Sequence, residues 1–247
     1  MKRVVAVLVG IGVLGALALG ARWIWPRSVG LVVSRVFSNS ERHTIASRLG
    51  ELGAPARSRL APLFARAGVV YPPGAVTLVV LKDERRLELY AGATTSSLRF
   101  VQYYPILAAS GGPGPKLREG DRQVPEGLYG IESLNPNSRY RVSLRVNYPN
   151  AFDRRQATID GRTNLGGDIM IHGGAASIGC VAIGDPGAEE MFVLAADVGT
   201  RTFRVISAPV DFRVRERSLE SQAAPLRWLP ALYAEIRAAL AQLPPVS

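Results

Sequence analysis

The stretch Asp168–Asp185, DIMIHGGAASIGCVAIGD, holds the only cysteine of the chain, Cys180, and one of its 2 histidines, His172. Gly173, Gly174, Ser177 and Gly179 lie between them. Asp168, Met170 and His172 alternate with Ile169 and Ile171, the period of a strand ending at His172. The small-residue loop after it can fold back and bring Cys180 under the imidazole. A thiol is nucleophilic as thiolate, and a nearby imidazole can take its proton. Gly179 lets the backbone approach a substrate closely, and the amides of Gly179 and Cys180 can face a developing oxyanion. Taken singly, a lone cysteine is more often a small buried hydrophobe, and a strand-end histidine a satisfied polar group. Together, in a Gly-rich loop, they make cysteine catalysis an even match for the structural reading.

Working outward, the segment after the loop reads as a helix capped by Asp185, with Pro186 in its first turn and Met191, Leu194 and Ala195 facing the core. Thr202–Ile206 follows as a strand. Upstream, Val76–Leu81 is a buried-type strand, Arg86–Tyr90 alternates, and Asp83-Glu84 supplies the turn between them. Arg99–Ala108, Leu128–Ser133 and Arg141–Val146 are further strands. Gly111–Gly127 is a long Gly/Pro/charged loop of the kind that lines sites. Asn150–Gly167 reads as mostly turn. Strands without regular βαβ alternation predict an α+β, mainly β fold: a mixed β-sandwich with a few helices.

At 247 residues the chain suits one catalytic domain with appendages. We divide it into 1–25, a signal peptide or signal anchor; 26–70, a helical region; 71–210, the catalytic domain; and 211–247, a C-terminal amphipathic helix. Lys2-Arg3 precede an apolar run from Val4 to Ala21, with Trp23 and Trp25 after it. Positive charge before an apolar core reads as an export signal, and interfacial tryptophans favour an inner-membrane anchor with the domain outside. Ser40 is expected to cap one short helix carrying Ile45, Leu49 and Leu52, and a second helix to follow Pro55. His43 reads as an exposed helix residue. Leu229, Leu232, Tyr233, Ile236, Leu240 and Leu243 share one face of a C-terminal helix that ends at Pro244-Pro245, and packing onto the domain is its expected role.

The net charge of +10 favours anionic partners. No nucleic-acid motif, Walker loop or dinucleotide fingerprint accompanies it. One cysteine and two well-separated histidines exclude a zinc-type cluster, so no metal or cofactor is expected. A single cysteine in an exported protein forms no internal disulfide, and a reactive thiol accounts for it.

HGGAASIGCVAI resembles a compact form of the signature of the L,D-transpeptidase catalytic domain (YkuD) family: His-Gly, a spacer, then Ser/Thr, any residue, Gly-Cys. Tyr104 onward (YPILAASGGPGPKLREGDRQVPEGLYGI), Asn135 onward (NPNSRYRVSLRVNYPNAFDR) and Gly161 onward (GRTNLGGDIMIHGG) resemble its YafK-like branch. The likeness covers roughly 72–209 and several motifs occur in order. It implies Cys180 as nucleophile, His172 as base, and the Gly173 carbonyl as orienter of the imidazole. Ser177 matches the small hydroxyl before Gly179-Cys180.

The resemblance further implies action on peptidoglycan stem peptides at meso-diaminopimelate, through a thioester, in wall biogenesis, remodelling or cell shape. Location would be the periplasmic side of the envelope. Transfer to an amine makes a transpeptidase; water makes a hydrolase that trims cross-links or releases wall-linked lipoprotein. Many family members carry His before Gly-Cys and Arg two residues after it; here these are Ile178 and Ala182, which tilts the reading toward hydrolysis. A non-catalytic wall-binding module is the third reading, and intact Cys180, His172 and Ser177 argue against it. Arg118, Arg122, Arg154, Arg155 and Arg162 flank the site segment and are candidates to grip a substrate carboxylate, though each alone reads as a solvated residue. Asp168 lies four residues before His172, about 13 Å along a strand, too far to orient the ring.

Overall fold

The computed structural model describes residues 42–112, 114–215 and 226–246. The chain separates into two units, Met1–Arg42 and His43–Ser247, and the second carries everything below. The apolar run at 4–21 and Ser40 lie outside the described residues. No described helix is long and apolar enough to cross a membrane.

Helix α1 runs unbroken from Ile45 to Ala67, through both Pro55 and Pro62. Two helices split at Pro55 were expected, because an interior proline removes a hydrogen bond and crowds the preceding turn. The buried stripe Leu52, Ala56, Leu60 and Phe64, four residues apart each time, outweighs that cost by packing into the core. The cap is Thr44, in a reciprocal capping box with Ser47. His43 sits just ahead of the helix, exposed, its backbone bonded through both N–H and C=O to the Asn137 side chain.

The strands are β1 (Ala75–Leu81), β2 (Arg86–Gly92), β3 (Arg99–Pro105), β4 (Gly127–Asn135), β5 (Ser143–Val146), β6 (Met170–His172), β7 (Val181–Ala182) and β8 (Phe203–Ala208). They pair in the order β3-β2-β1-β8-β4-β5-β6-β7. Within this order β3-β2-β1-β8-β4 and β4-β5-β6-β7 form two sheets that share β4, and residues of both pack into one core. β4 passes from β8 to β5 through an irregularity between Ile131 and Ser133, which lets a single strand serve both halves. β1–β8 and β6–β7 are parallel and the rest antiparallel.

β1 is buried along its whole length because both faces are covered. Val76, Leu78 and Val80 join a core with α1 and α3 (Gly184–Val198). Val79 and Leu81 join a second core under α4 (Leu229–Ala241), where Leu229, Leu232, Tyr233, Ile236 and Leu240 are buried as their spacing predicts. Helix α2 (Ala151–Ile159) occupies a stretch expected to be turn. Asn150 and Asp153 form its capping box, and the helix is short and polar, with Ala157 its one buried residue. Asp185 does not cap α3; Ile183 stands there without a side-chain bond.

Candidate active site

β6 and β7 set the two chemistry-bearing segments side by side. Ile171 pairs with Val181 and His172 with Ala182, in parallel. Cys180 stands two residues before Ala182, just ahead of β7, and strand alternation continued past the end of the ladder puts it on the same side as His172. The opposite face, Leu144, Ile171 and Val181, is buried in the α1/α3 core. The small-residue loop thus makes a tight parallel return, and only residues 173–179 separate the pair.

His172 is 3% exposed. Its Nδ1 lies 2.6 Å from the Gly173 carbonyl, which accepts only, so Nδ1 carries the proton and Nε2 keeps its lone pair. The Tyr140 ring stacks on it at 4.6 Å. Burial pushes the His172 pKa below its ordinary value, with the Gly173 bond acting the other way. Burial also pushes the Cys180 thiol upward; the Met170 amide and the Lys116 charge pull it down, and Asp168 pushes it up. Both shifts favour the neutral forms, thiol and neutral imidazole. Cys180 Sγ donates to the Asp168 carbonyl at 3.6 Å.

The loop between them is internally bonded. Ser177 Oγ donates to the Cys180 carbonyl at 2.7 Å and accepts the Gly179 N–H at 3.2 Å. The Gly179 amide is thereby engaged inside the loop, a correction to its expected orientation toward an oxyanion. What Gly179 supplies is backbone shape: φ is +122°, and a Cβ there would sit 3.3 Å from the Gln123 carbonyl. Gly173 is hemmed in by Asp185 Oδ1 and the Tyr140 carbonyl, and Asp185 accepts the Gly174 N–H at 2.8 Å. Asp185 thus braces the turn after His172. Asp168 has φ +54° and pairs with Arg145 at 2.9 Å on the surface.

A family model described as the L,D-transpeptidase catalytic domain, YkuD, matches residues 75–210. The chain belongs to this family. It is 38% identical over 119 residues to YafK of Escherichia coli, strains K12 and O157:H7, a match covering 47% of this chain and 46% of theirs. The chain thus spans about half the length of the curated relatives it matches. Among solved structures it is similar to the helical cell shape determining protein Pgp2 of Campylobacter jejuni, at 20% identity and TM-score 0.45, over 61% of this chain and 55% of that one. It is also similar to Bd1075 of Bdellovibrio bacteriovorus, at 18% identity and TM-score 0.40, over 67% and 57%.

In this YkuD-family chain the flanking arginines are not equivalent. Arg122 is exposed, with φ +57°, and the Arg122–Gln123 backbone lies against Gly179. Arg118, also exposed, sits in the same loop. Arg154 and Arg155 are exposed on α2, where their contacts run to Asp153 and the Phe152 ring rather than to the cysteine loop. Arg162 is engaged: it donates to Asp160 and, through Nη1, to the Leu117 carbonyl at 2.8 Å. It pins the loop rather than presenting a free guanidinium.

That loop has organisers that sequence reasoning misses. Buried Lys116 donates to the Arg118 carbonyl and Asp121 at 2.9 and 2.7 Å. Asp121 also accepts the amides of Leu117, Arg118 and Gln123. Burial opposes its charge, yet Lys116 and these amides hold the carboxyl below its usual range. The x-x-Asp-x-x pattern of an Asx turn is visible in the sequence; the distant stacking of Tyr140 on His172 leaves no local signal.

Proposed function

We propose that this chain is a cysteine-dependent acyl-transfer enzyme of the cell envelope, acting on peptidoglycan stem peptides at the carbonyl after the L-centre of meso-diaminopimelate. His172 Nε2 takes the Cys180 proton, and Sγ attacks that carbonyl. On this reading the Cys180 N–H is the backbone donor offered to the resulting oxyanion. The His172 imidazolium then protonates the departing amine, leaving a thioester on Cys180. One observation carries the reading: the Nδ1–Gly173 bond leaves Nε2 free on the face that Cys180 shares. Family membership supports the reaction class.

On this reading residues 71–210 form the catalytic domain, 26–70 and 211–247 are helical flanks, and 1–25 direct export or anchor the chain in the inner membrane. The solvated arginines nearest the cysteine loop, Arg118 and Arg122, hold a substrate carboxylate. Wall-linked lipoprotein is a further substrate of the same chemistry.

A second reading, hydrolysis, has its own support. Ile178 is 82% exposed beside the nucleophile and Ala182 is buried, bonded through its backbone to Leu107 and Ala108. Neither offers a polar group to hold an acceptor amine against water. Incubation with diaminopimelate-containing tetrapeptides in heavy-oxygen water, with and without excess D-amino acid, separates the two. Heavy oxygen in the released carboxylate means hydrolysis; cross-linked dimers or D-amino-acid exchange mean transfer. No turnover, or full turnover in Cys180→Ala, sinks both.

A further inference from the structure

Ser143 lies directly opposite His172 in the antiparallel β5–β6 pair. With Asn135 across β4 and Ala182 across β7 it forms one row over four strands, on the face that carries the imidazole and the thiol. Val146 donates to the Ile169 carbonyl at 2.9 Å. Ladder alternation then makes Ser143/His172 a non-hydrogen-bonded pair, the type whose side chains stand closest. Ser143 is 1% exposed, and its Oγ has no hydrogen-bond partner among the described residues. Its neighbours in sequence, Val142 and Leu144, are fully buried and apolar on the other face.

A buried hydroxyl with no partner is costly, and alanine would remove the cost. Its place beside a ring that changes charge gives the hydroxyl a partner at one moment of the reaction. We infer that Ser143 is a positioning residue for His172, its oxygen turning toward the imidazole edge when the ring takes the Cys180 proton. In that step the proton leaves Sγ for Nε2, and the S–H electron pair stays on sulfur. The imidazolium already has the Gly173 carbonyl on Nδ1 and the Tyr140 face above it. The Ser143 dipole adds a third contact in a site from which water is largely excluded, where it acts strongly. The other titratable groups around the site include Cys180 on the β7 side, Tyr140 and Arg141 in the loop before β5, the latter paired with Glu189 of α3, and Asp185 at the start of α3. Asp168 and Lys116 act on Cys180.

The inference rests on the Cys180–His172 reading, and the test separates their failures. The chain has 2 histidines and 1 cysteine, so imidazole NMR titration and iodoacetamide alkylation each report on nearly one site. In the full chain, Ser143→Thr and Ser143→Val are matched in shape and differ in the hydroxyl. The expected result is a His172 titration midpoint about 0.5 unit lower and Cys180 alkylation about threefold slower at neutral pH in Ser143→Val, with Ser143→Thr close to wild type. Ser143→Ala should follow the valine variant. Equal midpoints and rates in the threonine and valine variants overturn the role of Ser143. If His172→Ala also alkylates at the wild-type rate, the catalytic pair itself fails; if it slows while Ser143 variants do not, only the present inference falls.

Discussion

Tyr140 lies flat against His172, with ring centroids 4.6 Å apart and planes 21° from parallel, while its carbonyl accepts the Gly173 N–H at 3.2 Å. One residue therefore holds both the face of the imidazole and the turn whose carbonyl fixes Nδ1. Stacking contributes about 0.5–1.5 kcal/mol, enough to select one ring orientation. Tyr140→Ala should lower kcat roughly tenfold with a smaller change in KM. Tyr140→Phe should stay near wild type, because the stacking surface remains. Steady-state kinetics on a stem-peptide substrate read this directly, and equal losses in both variants would mean the phenol, not the stack, matters.

Gly173 has no room for a side chain. A Cβ would meet Asp185 Oδ1 at 2.3 Å and the Tyr140 carbonyl at 2.8 Å. Gly173→Ala must displace the Asp185 brace or the Tyr140 loop, and overpacking of this kind costs about 1–3 kcal/mol. The expected outcome is a lower melting temperature and at least tenfold lower activity. A variant with wild-type melting and activity would show that the turn accommodates freely.

Much of this was open to a reading of residues alone, for reasons that differ by element. The β1 run reads as a strand buried on both faces, and two cores do cover it. The α4 stripe keeps a helical period because one face packs on the sheet. Helix α2 escapes because it has almost no apolar stripe; its Asn150-x-x-Asp153 capping box is the signal that finds it. α1 escapes in the opposite way, since Pro55 and Pro62 argue for a break that core packing overrides. Within the site, Cys180 and His172 stand out by their chemistry. The engagement of Gly179 by Ser177, and of Arg162 by Leu117 and Asp160, depends on loop geometry that spacing does not encode.

The pH response of the site follows from two opposite shifts. Burial lowers His172 from 6.5, so the unfolded chain binds its proton more readily and stability falls as pH drops below 6.5. Burial raises Cys180 from 9.0, so ionisation favours the unfolded chain and stability falls as pH rises above 9.0. Both groups are neutral between, where their contribution is most favourable. Iodoacetamide alkylation of Cys180 should accordingly keep rising into the alkaline range. A plateau already reached below pH 6 would mean a preformed thiolate–imidazolium pair and contradict this ordering.

Asp153 is held differently. Burial raises its pKa to about 6 from 3.8, against the Asn150 amide and the Tyr129 hydroxyl, which lower it. Between these two values the folded chain binds more protons than the unfolded one, so stability falls as pH rises through that window. The total is no more than about 3 kcal/mol. Asp153→Asn should flatten this part of the stability–pH curve, measured by urea unfolding at several pH values, while keeping α2. An unchanged slope would assign it to other carboxylates.

A buried charge pair ties the site loop to the second core. Lys82 Nζ donates to Glu126 Oε1 at 2.8 Å and to the carbonyls of Gly114 and Val124. Glu126 also accepts the Gly114 N–H at 3.1 Å and, through Oε2, the Tyr233 hydroxyl of α4 at 2.8 Å. The Glu126 side chain is 0% exposed and that of Lys82 9%. Removing one partner strands the other charge in a poorly solvated place, a loss of about 3–5 kcal/mol. Glu126→Ala and Lys82→Met should each destabilise the domain on that scale. The double variant Lys82→Met/Glu126→Ala should lose clearly less than the sum, because no charge is left unpaired. Each variant should also loosen the 111–127 loop, seen as faster amide exchange at Gly114, and slow Cys180 alkylation as Lys116 and the Arg122–Gln123 backbone lose their register. Strict additivity of the two single losses would show that the residues act independently, and that the loop is held by Asp121 rather than through α4.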